Sequence, residues 1–260
     1  TLGALSATAQ KKFHTGFQPL LPGFKYVPFN NIQAVKKAIN KKTCAVLVEP
    51  IQGEGGVNVP DPSYLKNLKS LCKKNDLLLI FDEVQTGFGR TGKLFAHEIF
   101  KTKPDIMTLA KALGGGVAIG ALAATDRVMK SFVPGTHAAT FGGNPLSCAA
   151  ALATLKVITG KGFLKKASET GKYFYKCLKD LENQNSLIKE VRGEGMILAL
   201  ELKKPGGDVV LECMEKGFLI NCIQQNTLRF LPPLNISQKD INSLMPVLSN
   251  CLLQLSKRKF

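Results

Sequence analysis

The chain has 260 residues, of which 45% are hydrophobic, enough for the core of one large domain or of a large domain and a smaller one. Its formal net charge is +16, but the lysines are scattered, many of them in pairs, with no block of five or six like charges, so we predict no nucleic-acid partner. Since no apolar run approaches the roughly 20 residues that span a bilayer, we predict no membrane partner either.

Cysteine usage predicts a reducing compartment, and histidine usage predicts no metal centre. None of the seven cysteines forms a CxxC pair, and several lie inside apolar runs, where a thiol behaves as a small hydrophobic group. Because thiols stay reduced in the cytosol, we expect a cytoplasmic protein. The three histidines are isolated from one another in the sequence, so no metal site is predicted.

The first half of the chain alternates short apolar runs with helical patterns. "TCAVLVEP" predicts a buried strand, and residues 61–75 predict a helix with Asp61 as its N-cap and Pro62 in its first turn. Three further strands are predicted by "LLLIFDE", "DIMTLAK" and "AIGALAAT". Apolar strands separated by helices are typical of a mostly parallel α/β sheet.

The pattern changes near residue 160. Before it, "NPLSCAAALATLKVI" predicts a helix of small residues with Asn144 or Ser147 near its start. Beyond it the predicted strands mix polar and apolar residues, and residues 237–255 predict an amphipathic helix with Ser237 and Asp240 near its start. We therefore predict a large α/β domain over residues 1–160 and a smaller α+β domain over residues 161–260.

Three charged residues follow the predicted strands at the edge where α/β sheets bind ligands. Glu49, Asp82 and Lys111 each lie at or just beyond a carboxyl end of a strand. Asp82 would serve either as a counter-ion for a protonated ring nitrogen or as a helix cap or buried ion-pair partner. Lys111 would be either a nucleophilic amine or part of a helix end capped by glycines. The two residues together favour chemistry more strongly than either alone.

Several motifs in order resemble those of one enzyme family. "LVEPIQGEGG", "LLLIFDEVQTGFGRTG", "PDIMTLAKALGGG", "HAATFGGNP", "RGEGMILALEL" and "LRFLPPLNIS" are similar to class III, ω-type aminotransferases that depend on pyridoxal 5′-phosphate (PLP). The opening "TLGALSATAQKKFHTGFQPLLPGFKYVPFN" is most similar to the acetylornithine branch. The resemblance implies an α/β fold of the PLP-dependent transferase fold type I.

The resemblance also implies a cofactor site. Lys111 would form the Schiff base with PLP and then carry a proton, and Asp82 would keep the pyridine nitrogen protonated. Val84 would pack against the ring, and Gln85 would reach its phenolic oxygen. Glu83 is also predicted to bind the cofactor.

Substrate binding and a shared active site follow from the same resemblance. Arg229 would receive a substrate carboxylate, and Glu54 would pair with it as a switch between the two half-reactions, with Glu49 nearby. Thr140 would bind the PLP phosphate of the neighbouring subunit, with Ala139 beside the substrate. This arrangement requires a homodimer.

The function implied is transfer of an amino group from N-acetylornithine to 2-oxoglutarate in arginine biosynthesis, with succinyl-diaminopimelate of lysine biosynthesis as a further substrate of that branch. Two alternatives stay open: a class III enzyme acting on ornithine or 4-aminobutyrate, and an inactive fragment. Because the chain opens without a methionine, we expect it to be part of a longer enzyme. The upstream portion would supply a turn for the PLP phosphate, an aromatic residue on the ring and an arginine for the acylated substrate.

Overall fold

Two β-sheets organise the chain in the computed structural model, which describes residues 2–257. The first sheet has the order β1-β2-β3-β4. Its strands are β1 (Ala45–Val48), β2 (Leu78–Asp82), β3 (Ile106–Leu109) and β4 (Ala121–Ala124). The first three strands run parallel to one another, as predicted, whereas β4 is antiparallel to β3. The connection from β3 to β4 is too short to hold the crossover helix that a parallel neighbour needs.

Helices precede, connect and follow the strands of the first sheet. They are α1 (Leu2–Ala7), α2 (Ile32–Ala38), α3 (Tyr64–Lys74), α4 (Ala96–Ile99), α5 (Asp126–Met129) and α6 (Pro145–Ile158). Those that share hydrophobic clusters with the strands of this sheet are α2, α3 and α6. On α3, the buried Leu65 and Leu68 share a hydrophobic cluster with Leu79 and Phe81 of β2. The apolar spacing of the helix and the alternation of the strand therefore produce one common core.

The starts of two helices test the predicted caps. Asn144 is the N-cap of α6, since its side chain accepts a hydrogen bond from the Ser147 backbone N–H. The predicted Asp61 cap of α3 is wrong: the helix begins at Tyr64, after Ser63. Asp61 instead offers its backbone carbonyl to the Tyr64 N–H at 3.0 Å, so that residues 61–64 form a turn before the helix.

The second sheet is antiparallel and has the order β5-β6-β8-β7. Its strands are β5 (Ile188–Glu194), β6 (Ile197–Leu202), β7 (Asn221–Ile223) and β8 (Thr227–Phe230). The helices α7 (Phe163–Gln184), α8 (Gly207–Glu215) and α9 (Gln238–Lys257) pack with it around one hydrophobic cluster. At the start of α9, Ser237 and Asp240 hydrogen-bond each other reciprocally, as a capping box does.

The predicted boundary near residue 160 stays a prediction. The apolar residues of the second cluster all follow it, from Phe174 to Leu255. Residue 1 of the predicted large domain and residues 258–260 of the predicted smaller one lie outside the described range.

The half-buried guanidinium of Arg90 joins the two sheets. Arg90, in the loop after β2, donates hydrogen bonds to the carbonyl oxygens of Met196 at 3.2 Å and Pro232 at 2.6 Å. Burial lowers the pKa of Arg90 to about 10. Nearby, Gly195 adopts φ 58° and lies directly against Thr91, where a side chain would clash. These contacts fix the end of β8 relative to the first sheet.

Over residues 2–257, no single helix is long and apolar enough to cross a membrane. The consecutive helices α6 and α7 pass that test only when taken together, and they are bent by 70° where they meet. In the same residues, no group of three or more His, Cys, Asp or Glu side chains is arranged to hold a metal ion.

Candidate active site

The carboxyl ends of the three parallel strands bring charged groups together. Glu49 follows β1, Asp82 ends β2, and Lys111 follows β3 after one residue. Asp82 and Lys111 both act electrostatically on the Glu49 carboxyl, with opposite signs. The expectation that these residues meet at one sheet edge therefore holds in the structure.

Asp82 is half-buried and oriented by two hydrogen bonds to one of its oxygens. Oδ1 accepts from the backbone N–H of Val84 at 3.0 Å and from the Thr108 hydroxyl at 3.1 Å. Thr108 lies opposite Asp82 in the register of β2 and β3. In the described part of the chain Oδ2 makes no hydrogen bond, so one oxygen of a fixed carboxylate is available to a cationic N–H donor.

Lys111 occupies an unusual backbone position with its side chain exposed. Its φ of 44° lies in the left-handed region, at the start of a 3₁₀ turn that spans Lys111–Gly114. A non-glycine residue held in that region costs about 1 kcal/mol or more, and such strain is concentrated at functional sites. The turn places the amine just beyond the edge of the sheet.

The glycines after Lys111 serve the turn itself. Gly115 caps the 3₁₀ turn with φ 59°, and a side chain there would collide with Thr154 of α6. The glycine-capped turn that the sequence left open as an alternative is therefore present, and it coexists with the exposed amine. Gly115 is required by the packing of this turn on α6.

Glu49 is half-buried directly after β1. Burial raises the pKa of this carboxyl above its ordinary value of 4.5, and the nearby Asp82 and Glu54 add to that effect. A hydrogen bond from the Gly53 backbone N–H at 3.0 Å and the charge of Lys111 oppose it. Glu49 thus anchors the start of the following loop through Gly53.

The best-connected part of the site joins the two sheets. Arg229 of β8 is only 8% exposed, and its Nη1 donates to Glu54 at 2.7 Å and to the Gln85 side-chain oxygen at 3.3 Å. Gln85 in turn donates to the same Glu54 oxygen at 3.2 Å. With its amide oriented to satisfy both groups, Asn221 accepts from Arg229 Nη2 at 3.0 Å. The guanidinium is therefore fixed and charge-paired.

The pairing with Arg229 also determines the charge of Glu54. Partial burial acts to raise the pKa of Glu54, but the hydrogen bond and charge of Arg229 outweigh it, so the pKa is lowered below 4.5. Gln85 and Lys111 contribute in the same direction. The Glu54 side chain is 49% exposed, so this anion lies between the buried Arg229 and solvent.

Glu83, predicted among the cofactor-binding residues, is engaged elsewhere in the structure, and its predicted role stays a prediction. Its carboxylate is fully buried and accepts hydrogen bonds from the Thr86 hydroxyl and from the backbone N–H groups of Ala96 and His97. Both oxygens are therefore used at the start of α4. Because successive strand residues point to opposite sides, Glu83 is directed differently from Asp82.

Three predicted residues make fewer contacts. Val84 is half-buried next to Asp82, to which its backbone N–H is bonded. Ala139 and Thr140 lie in a segment, residues 131–143, that is exposed throughout. Within residues 2–257 neither of them forms a hydrogen bond or ion pair with the other predicted site residues, and their predicted roles stay predictions.

Two residues that orient site side chains were not predicted from the sequence. Thr108 orients Asp82, and Asn221 orients Arg229. Thr108 is the polar residue of the otherwise apolar strand "IMTL", and the parallel pairing of β2 with β3 would have placed it opposite Asp82. For Asn221 we find no comparable signal in the sequence.

Comparisons with known proteins agree on one family. The family model described as "Aminotransferase class-III" matches residues 1–252. The chain is 50% identical to an acetylornithine aminotransferase of Methanocaldococcus jannaschii over 99% of its own length, and 48% identical to one of Caldanaerobacter subterraneus over 98%. It spans 65% of the length of each of these curated relatives.

A solved structure shows the same fold. An ornithine aminotransferase from Toxoplasma gondii superposes with a TM-score of 0.93 at 37% identity, over 99% of this chain and 62% of the other. That structure is described as having PLP at partial occupancy in its active site. The predicted α/β fold with a mostly parallel sheet is confirmed by this likeness and by the topology, and the second sheet is antiparallel.

Proposed function

Because the chain belongs to the class-III aminotransferase family, we propose that the protein uses PLP to transfer an amino group from N-acetylornithine to 2-oxoglutarate. One observation carries the proposal. An exposed amine, Lys111, and a half-buried carboxylate, Asp82, end adjacent strands at the edge where the buried Arg229 pairs with Glu54. A carbonyl-reactive amine, a ring counter-ion and a carboxylate receptor are the three groups that this reaction requires.

The residues at the sheet edge fit PLP. Asp82 is oriented through Oδ1 and has Oδ2 available, as a partner for a protonated pyridine nitrogen needs. We assign the face of the ring to Val84 and its phenolic oxygen to Gln85. Bound PLP supplies an electron sink that stabilises negative charge at the substrate Cα.

Lys111 has two tasks in this proposal. Its amine would hold the cofactor through a covalent bond and would carry a proton between the substrate Cα and the cofactor C4′. Both tasks need an amine close to the cofactor ring and free to move. The exposed Lys111 side chain just beyond β3 meets this need, with the carboxyl groups of Glu49 and Glu54 as neighbours.

Arg229 and Glu54 let one pocket accept two substrates of different charge. When Glu54 pairs with Arg229, the guanidinium is neutralised and a substrate without a carboxylate at that position fits. When the Glu54 side chain turns away, Arg229 can donate bidentate hydrogen bonds to a carboxylate of 2-oxoglutarate or glutamate. The half-exposed position of Glu54 leaves room for that rotation.

The choice of amino donor rests on the relatives. Both curated relatives above are named acetylornithine aminotransferases, which favours N-acetylornithine, with succinyl-diaminopimelate as a chemically similar acylated donor. The structural likeness to an ornithine aminotransferase supports ornithine as the second candidate. 4-Aminobutyrate is the third amine to compare.

We further propose a homodimer with shared active sites, in which Thr140 binds the cofactor phosphate of the neighbouring subunit and Ala139 lies beside the substrate. Large apolar side chains around this segment are uncovered in the chain, and a second subunit would bury them. They are Phe141, Leu146, Leu152 and Val157. We place the protein in the cytoplasm, and the seven free cysteines suit a reducing compartment.

The decisive experiment uses the full-length protein with added PLP. We expect an absorption band of the bound cofactor and transamination of N-acetylornithine, with Lys111→Ala abolishing the band and lowering kcat by about 10³-fold or more. Lys93→Ala is the matched control, because Lys93 is an exposed lysine in the loop after β2. Full activity of Lys111→Ala would contradict the proposal.

Donor profiling then separates the candidates. N-Acetylornithine, succinyl-diaminopimelate, ornithine and 4-aminobutyrate are compared by kcat/KM with 2-oxoglutarate as acceptor. We expect the acylated donors to be preferred. Turnover of ornithine without turnover of N-acetylornithine would replace the donor while leaving the cofactor chemistry unchanged.

A further inference from the structure

We propose that Arg192 is a positioning residue for the substrate switch, because it fixes the backbone of the loop that carries Glu54. The inference rests on the proposed function, in which Glu54 covers and uncovers Arg229. Arg192 lies on β5 of the second sheet, whereas the Glu54 loop, residues 53–56, follows β1 of the first. Arg192 is therefore a tie between the two sheets beside the switch.

The guanidinium of Arg192 binds one end of the loop with two donors. Nε and Nη2 both donate to the carbonyl oxygen of Gly56, at 3.1 Å and 2.8 Å. Its remaining nitrogen, Nη1, is paired with Glu201 at 2.6 Å and with Glu190 at 2.9 Å. The Arg192 side chain is only 15% exposed, so these charge-assisted bonds are partly shielded from water.

Other contacts fix the remaining backbone of the loop. Glu49 accepts from the Gly53 N–H at 3.0 Å, and the Gln224 side chain donates to the Glu54 carbonyl at 3.0 Å. The loop is thus bound at its start, middle and end, while the Glu54 side chain is 49% exposed. The geometry matches a switch in which a side chain turns on a stationary backbone.

Fixing the backbone strengthens the Glu54–Arg229 pair. If the loop were mobile, forming the pair would also have to order the backbone, which costs conformational entropy. Arg192 removes much of that cost in advance. Without it, Glu54 competes less effectively for Arg229, and a carboxylate ligand binds Arg229 more tightly.

The test measures binding of glutarate, a five-carbon dicarboxylate, to the full-length PLP-loaded protein by titration calorimetry. We expect Glu54→Gln to tighten glutarate binding about tenfold, since it removes the competing anion. Arg192→Gln should tighten it about threefold. In the Glu54→Gln background the Arg192→Gln change should have no effect, because residues that act through one another are not additive.

Lys189→Met is the matched control. Lys189 pairs with the same Glu201 as Arg192, but the structure gives it no bond to the loop. It should leave glutarate affinity unchanged. Arg192→Lys provides a second variant that keeps a positive charge beside Glu201 while losing the paired donors to Gly56, and it should act in the same direction as Arg192→Gln.

Amide hydrogen exchange of residues 52–58 gives an independent readout. We expect exchange to rise at least about fivefold in Arg192→Gln and to stay unchanged in Lys189→Met. An unchanged glutarate affinity in Arg192→Gln, or an equal shift with and without Glu54, would overturn the inference. If the unaltered protein binds no glutarate, the proposed function fails, and hydrogen exchange still decides whether Arg192 fixes the loop.

Discussion

The carboxylate receptor and the segment around Thr140 differ in how much of their environment the chain itself supplies. Arg229 is 8% exposed and is surrounded by Glu54, Gln85 and Asn221. The segment 131–143, by contrast, is exposed at every residue. The contacts of the receptor described above all lie within this chain, whereas in the proposed homodimer the segment would act on the neighbouring subunit.

The contrast follows from the local sequences. Every residue of β8, "TLRF", is buried, and the strand pairs with neighbours on both sides, so Arg229 is held by the sheet on which it lies. The segment "SFVPGTHAATFGG" has three glycines, one proline and no regular secondary structure. Loops of this composition are shaped by what packs on them. We therefore expect mutations at the receptor to act on the site of the same chain. In the proposed homodimer, mutations in the segment should act on the site of the neighbouring subunit.

The largest effect within one chain after loss of Lys111 is expected at Asp82. Asp82→Asn preserves the size of the side chain and an oxygen that can accept from Val84 and Thr108, but it removes the negative charge. We expect kcat to fall by about 10²- to 10³-fold, because the protonated ring loses its counter-ion. Steady-state kinetics with N-acetylornithine measures this.

Thr108→Val separates charge from orientation in the same pair. It removes one hydrogen bond to Asp82 and leaves the carboxylate charged. A change of severalfold in kcat is expected, in line with a single hydrogen bond of about 1 kcal/mol. Equal losses in Asp82→Asn and Thr108→Val would show that orientation, and not charge, is what Asp82 contributes.

The proposed role of the exposed segment can be tested in dimers that combine two different variants. Thr140→Asp places a carboxylate where we propose that the partner's cofactor phosphate binds, so the variant alone should be nearly inactive. Mixing it with Lys111→Ala under conditions that exchange subunits should restore about a quarter of the activity. Half of the dimers are then mixed, and one of the two sites in each is intact.

Lys111→Ala mixed with Asp82→Asn is the matched control, because both residues belong to the site of one chain. Every site in that mixed dimer carries one defect, so no activity should return. Recovery in this control, or its absence with Thr140→Asp, would rule out the proposed sharing of Thr140 between subunits.

The sequence predicted best those features that depend on strand order. Glu49, Asp82 and Lys111 were expected at one sheet edge because parallel strands end on the same side, and the structure brings them together. Arg229 and Glu54 are 175 residues apart in the sequence, so no local pattern predicts their contact. It was expected only through the resemblance to a known family.

The features that the sequence could not predict depend on tertiary contacts of the residues concerned. Glu83 follows Asp82 directly, and the sequence alone does not say that its carboxylate is used by α4. The direction of β4 depends on the length of a connection, and Gly115 on the packing of α6. Each of these features is decided by tertiary contacts.

The smallest predicted effect concerns the stability of the Arg229 receptor at low pH. The pKa of Glu54 is lowered below its ordinary 4.5, so its ion pair stabilises the folded state above pH 4.5 and that contribution is lost as the pH falls through the lowered value. Because Glu54 is 49% exposed, the contribution is less than about 1 kcal/mol. Thermal unfolding of the full-length protein from pH 3 to 7 should show Glu54→Gln less stable than the unaltered protein only at the upper end.

The neighbouring Glu49 makes the sign of this result informative. Burial raises its pKa, so on its own it would make stability fall as the pH rises above 4.5, opposite to Glu54. Comparing the unaltered protein with Glu54→Gln removes the part of the Glu49 contribution that comes from burial and leaves only the part that the Glu54 charge adds. Glu215→Gln, at an exposed carboxylate, is the matched control. A stability difference for Glu54→Gln that grows toward pH 3 would mean that the Glu54–Arg229 pair does not hold Glu54 in its ionised form.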